Sequence, residues 1–171
     1  CVLTYRSANT AIIEPTATPT LAETYTPTST PTVTPTITPT MTDIGGTCSR
    51  CWEFNQNGNL ESWISYNDIT APIVASGYYT TTSTTEDPRI RAAGSQNIDA
   101  DNYKLLEVRM KCTAGTTGQL YFRSPSDTNF TEAKSVKFVV PSNTTFVTYR
   151  LDFRGVVSWK GIIDQLRFDP I

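Results

Sequence analysis

From Pro15 to Thr42 the chain reads PTATPTLAETYTPTSTPTVTPTITPTMT. Threonine holds every even position of this stretch except Ala22, and proline falls at 15, 19, 27, 31, 35 and 39, four or eight apart. The unit is a tetrapeptide, P-T-x-T, with Ala17, Ser29, Val33, Ile37 or Met41 as x. Proline at this density removes backbone donors and fixes φ, so a helix or a central strand is excluded here. Polyproline II has three residues per turn, and a four-residue repeat wanders around it. An extended strand has a period of two, which the repeat fits. The threonines then share one face, and proline and x share the other. Because all prolines have one parity, one backbone edge loses donors while the other keeps them. Such a segment can pair along one side only, which limits aggregation. Extended, it spans about 90 Å at roughly 3.3 Å per residue.

Dense threonine beside proline is also the composition of O-glycosylated stalks and Pro-rich linkers. The candidate acceptors are Thr16, Thr18, Thr20, Thr24, Thr26, Thr28, Thr30, Thr32, Thr34, Thr36, Thr38, Thr40 and Thr42. Val33, Ile37 and Met41 are more apolar than a plain linker needs, which points to a face that meets something. The repeat divides the chain into a strand-like tail (1–14), a stalk (15–46) and a β-sandwich domain (47–171).

The tail, CVLTYRSANTAIIE, is rich in strand-favouring residues but too short to fold alone. An exposed apolar strand needs a sheet to join. Four readings are open: docking on a neighbouring copy, with Cys1 as a covalent lock, docking on the tail's own sandwich, a leftover strand of a truncated upstream domain, or a membrane tether on a lipid-modified Cys1. The opening residues lack the charged start and apolar run of a signal peptide, so the chain reads as a processed product or as truncated at its N-terminus.

The remaining composition excludes several classes. Charged residues are 18% and the net charge is −2, without the basic patch that nucleic acid requires. Histidine is absent, which removes Ser-His-Asp and Cys-His constellations. Phosphate loops and dinucleotide fingerprints are missing too. Glu53, Glu61, Asp99, Asp101, Glu107 and Asp152 are available for glycoside chemistry, but none sits in a motif that lifts it above a surface charge. A non-enzyme without cofactor is expected.

Four cysteines, Cys1, Cys48, Cys51 and Cys112, beside such a stalk favour an oxidising, extracellular or cell-surface setting. Cys48-Ser49-Arg50-Cys51 reads as structural half-cystines, since zinc would want histidines or a second C-x-x-C. Three pairings are open: Cys48–Cys51 with Cys1–Cys112, or Cys112 bonded to Cys51 or to Cys48 with Cys1 taking the remainder.

Strand-like runs follow at 50–55, 61–67, 72–82, 88–93, 102–112, 118–123, 135–140, 145–153 and 162–168, separated by turn signals such as Asn57-Gly58, Ser76-Gly77 and Pro141-Ser142-Asn143. Many short strands at this spacing predict an all-β sandwich or barrel. Alternation places Leu106, Val108, Met110 and Cys112 on a core face, with Leu120, Phe122, Leu151, Phe153, Leu166 and Phe168 completing it. Trp52, Phe54, Trp63 and Trp159 fit core or rim packing. Arg109, Tyr121, Arg123, Gln165 and Arg167 are left facing outward. An aromatic ring flanked by planar hydrogen-bonding groups suits a sugar, and equally an ordinary polar sheet face. Asn129-Phe130-Thr131 and Asn143-Thr144-Thr145 match the N-glycosylation pattern.

The opening Trp52-Glu53-Phe54-Asn55, then Gly58 and Trp63, resembles that of galactose-binding-like jelly rolls. Tyr103 to Met110 resembles their central strand, and Gly118 to Phe122, Phe153, Trp159 and Ile163 to Pro170 extend the likeness over roughly 50–171. Such domains occur in carbohydrate-binding modules and bacterial exoproteins. The resemblance implies a jelly-roll β-sandwich and a structural calcium near the joined first and last strands, where Glu53 and Asp169 offer hard oxygen ligands. The stalk likewise resembles Thr-Pro linkers of secreted bacterial proteins.

Two functions from different classes result. One is a structural subunit of an extracellular fibre or surface stalk, meeting copies of itself head to tail through the tail. The other is a carbohydrate-binding module tethered to a secreted glycan-degrading enzyme. The apolar tail and strict repeat favour the first.

Overall fold

The computed structural model describes residues 2–6, 50–114, 117–142 and 145–170, the first of these as backbone only. The strands are β1 (Val2–Arg6), β2 (Cys51–Trp52), β3 (Ser65–Asn67), β4 (Ile73–Ala75), β5 (Tyr78–Thr80), β6 (Arg89–Arg91), β7 (Ile98–Asp99), β8 (Leu105–Lys111), β9 (Thr117–Arg123), β10 (Ser135–Val139), β11 (Val147–Asp152), β12 (Ile162–Ile163) and β13 (Gln165–Pro170). A 3-10 turn, Glu132–Lys134, leads into β10.

Among the described residues the fold is all-β and antiparallel. One sheet runs β11-β8-β1-β5-β4, with β2 also paired to β1; a second runs β10-β9-β13-β6-β3; β12 and β7 form a small third pair. The alternation in β8 explains its place. Leu106, Val108, Met110 and the following Cys112 are buried, while Arg109 is exposed. Leu120 and Phe122 of β9, Leu166 and Phe168 of β13, and Leu151 of β11 are buried with them in one core. Two sheets that share a core in this way are consistent with a β-sandwich.

Aromatic packing closes the ends. Trp159 stacks on Phe153 at 4.0 Å and meets Phe122 edge-on at 4.8 Å. Its indole donates to the Tyr103 carbonyl at 2.8 Å, so the buried N–H is satisfied. Trp52 and Trp63 meet edge-to-face at 5.4 Å.

The run read as one strand over 72–82 is a hairpin. Ser76 and Gly77 both have positive φ, 54° and 81°, the pattern of a two-residue turn whose twist matches its strands. Val136 and Phe138 are half-buried against the core.

Candidate functional site

The segment Val2–Arg6 is a central strand. On one side it pairs with β8 along its whole length, from Val2 opposite Lys111 to Arg6 opposite Glu107. On the other side Val2 and Leu3 face Thr80 and Tyr79 of β5, and Tyr5 and Arg6 face Trp52 and Cys51 of β2. Position 3 thus lies in register with buried Met110 and Tyr79, and position 5 with buried Val108 and Trp52. The apolar residues Leu3 and Tyr5 occupy these core-side positions. In the single chain the described part of the tail is inserted into its own sheet.

This strand holds the sheet together. The β4–β5 hairpin joins β8 and β11 only through β1 in the described ladder. Without it, β8 would present an unpaired edge beside a core of Met110, Val108 and Tyr79. Residues 7–49, 43 in all, separate Arg6 from Arg50. The stalk read over 15–46, its candidate threonines Thr16 to Thr42, and Cys1 and Cys48 lie outside the described residues.

Cys51 and Cys112 are both disulfide-bonded. Cys51 is opposite Arg6, and Cys112 follows the rung where Lys111 faces Val2. They stand at opposite ends of β1, roughly 13 Å or more apart along the strand. A disulfide requires Cα atoms within about 7 Å. Of the three pairings, the one joining Cys51 to Cys112 is therefore excluded.

The structure does not bring the five outward residues to one face. Arg109 lies on β8 of the first sheet, its guanidinium 4.5 Å from the Phe146 ring centre. The other four belong to the second sheet, where Arg167 is opposite Tyr121 and Gln165 opposite Arg123. Sequence parity cannot separate them, because it assigns inside and outside but not which sheet. Tyr121 points outward by parity yet is 8% exposed. The segment joining β9 to β10 covers it: Tyr121 donates to Glu132 Oε1 at 2.6 Å, and Phe130 lies near Arg123. The Arg167 guanidinium sits 4.8 Å over the Tyr121 ring and is tied to both oxygens of Asp169. Gln165 donates to the Ala92 carbonyl. Gln119 and Glu132, not singled out from the sequence, belong to this cluster through a 3.0 Å hydrogen bond.

Glu53 follows β2, exposed, and Asp169 stands on β13, where Arg167 occupies its carboxylate and burial shifts its pKa upward. Among the described residues no group of three or more His, Cys, Asp or Glu is arranged to hold a metal. A cleft of about 370 Å³ is lined by Arg50, Trp52, Glu53, Asn55, Glu61 and Ser62. Glu61 there accepts the Phe54 backbone N–H at 2.8 Å, a structural role in a loop whose Phe54, Glu61 and Ser62 all have positive φ.

No family model, curated protein or solved structure matches this chain.

Proposed function

We propose that the chain is a non-catalytic structural subunit of an extracellular fibre or surface stalk, assembling head to tail with copies of itself. The observation that supports this most is β1: a central strand delivered across residues 7–49, most of which are a Thr-Pro tetrapeptide repeat. In this reading the repeat is an extended, O-glycosylated rod, and the two-sheet unit, a jelly roll of the galactose-binding-like kind, joins or decorates it. Electron microscopy of the native secreted protein tests the reading. Regular filaments are expected, and uniformly dispersed particles would overturn it.

A second reading is a carbohydrate-binding module. The placement of Arg123, Gln165 and Arg167 on one sheet supports it, since these groups offer planar donors together, while Tyr121 beside them is covered. Their mutual hydrogen bonds and ion pairs compete with a sugar, which is why it ranks second. Glycan-array binding by the intact chain decides it.

A further inference from the structure

We infer that, in the assembled state, the slot between β8 and the β5–β2 edge is filled by the Val2–Arg6 strand of a second copy. This rests on the fibre reading and names the contact through which the fibre grows.

The slot is specific for this strand. Five successive rungs align β1 with β8, and four more align it with β5 and β2. A one-residue slip would move every position of β1 to the other face of the sheet. Leu3 and Tyr5 would then leave the core-side positions. Every one of these backbone pairs forms equally well whichever copy supplies the strand. The connection therefore decides between own and neighbouring strand.

That connection is unlike any other in the molecule. Consecutive strands from β2 onward are joined by at most 12 residues, those numbered 53–64. Residues 7–49 number 43, and they must leave at Arg6 and return to Cys51 directly across the ladder. Closure cost rises slowly with length for a flexible chain, and stiff chains depart from that rule. Six prolines of one parity in the repeat make this segment a semi-rigid spacer by composition. Fully extended, 43 residues reach about 140 Å at roughly 3.3 Å each. Passing β1 to a neighbour removes the doubling-back and leaves every slot filled. Each copy gives one strand and receives one; where giver and receiver are different neighbours the contact is heterologous, and it generates an open chain when the rotation does not close.

The test uses full-length chains that each carry one added thiol. Thr4 and Arg109 are register partners across β1 and β8. Thr4→Cys and Arg109→Cys chains are co-secreted from one cell and treated with a short bifunctional thiol linker. Exchange predicts a covalent two-chain species containing one of each variant, involving the half of Thr4→Cys strands that random pairing places in Arg109→Cys slots. No mixed species, together with efficient linkage inside a chain carrying both substitutions, means that each strand fills its own slot, and overturns the inference. The register pair Arg6→Cys and Glu107→Cys repeats the test should Arg109→Cys fail to fold. Microscopy of the unsubstituted protein separates the two claims. Filaments without mixed linkage sink the exchange and keep the fibre; mixed linkage without filaments supports the exchange as closed oligomers and sinks the fibre.

Discussion

Tyr121 donates its hydroxyl to Oε1 of Glu132 at 2.6 Å, while Gln119 donates to Oε2 of the same carboxylate at 3.0 Å. Both donors stand on β9, and Glu132 begins the 3-10 turn that leads into β10. These bonds, the Tyr121 bond foremost, and Lys137 lower the Glu132 pKa from 4.5 to about 2. Tyr121 moves the other way, upward, through burial first and then its bond to Glu132. The signs follow from linkage. The carboxylate's contribution is complete above its ordinary value of 4.5 and is lost as pH falls toward about 2. The phenol's contribution is complete below its ordinary value of 10.0 and is lost as pH rises beyond it. Thermal midpoints should therefore fall below pH 4.5, and Glu132→Gln should flatten that acid limb. An unchanged acid limb in Glu132→Gln would refute the coupling.

Gly118 and Phe138 are cross-strand partners of β9 and β10, and the Phe138 ring lies over the glycine. A Cβ at position 118 would stand 2.6 Å from Phe138 Cζ, closer than side chains tolerate. Gly118→Ala should destabilise the unit by about 1–3 kcal/mol through overpacking. Combining it with Phe138→Ala should recover part of that loss, because the clash disappears with the ring. Urea unfolding of both singles and the double gives the coupling. Strict additivity would show that the ring does not cover the glycine.

Cys51 and Cys112 should never appear in one disulfide-linked peptide. The spacing of their rungs on β1 separates them beyond bonding reach. Proteolysis without reduction, followed by mass spectrometry, reads this directly. A Cys51–Cys112 peptide would mean that β1 is not where the ladder puts it.

The residues that told most from sequence were those whose signal is local. Leu106, Val108, Met110 and Cys112 alternate cleanly, and all four are buried. Trp52, Phe54, Trp63 and Trp159 were expected in the core by bulk and composition, and they lie there. Ser76-Gly77 marked a turn, and the chain turns there. Non-local relations were illegible. Periodicity shows that Arg109 and Tyr121 both point outward, but not that they belong to different sheets. It cannot show that the segment after β9 folds back to cover Tyr121. For β1, composition called for a sheet edge without naming one, because pairing across residues 7–49 leaves no local trace. The two-residue strand β7 gave no periodic signal either, and β12 fell within the single run read over 162–168.

Tyr5 offers the sharpest test of β1 itself. It is paired on both sides, with Val108 of β8 and Trp52 of β2. Proline there deletes a backbone donor inside a doubly flanked strand, where sheets do not accept it. The orphaned carbonyl alone costs about 1–3 kcal/mol. Tyr5→Pro should therefore lower the urea midpoint of the intact chain markedly, whereas Tyr5→Phe, which leaves the backbone unchanged, should lower it little. Adding a synthetic peptide of residues 1–14 during refolding should rescue Tyr5→Pro, since the slot accepts the strand without a covalent connection. Equal midpoints for the two variants would place residues 2–6 outside the sheet. A lowered midpoint that the peptide does not restore would leave β1 as a structural strand of its own chain and would argue against its transfer between copies.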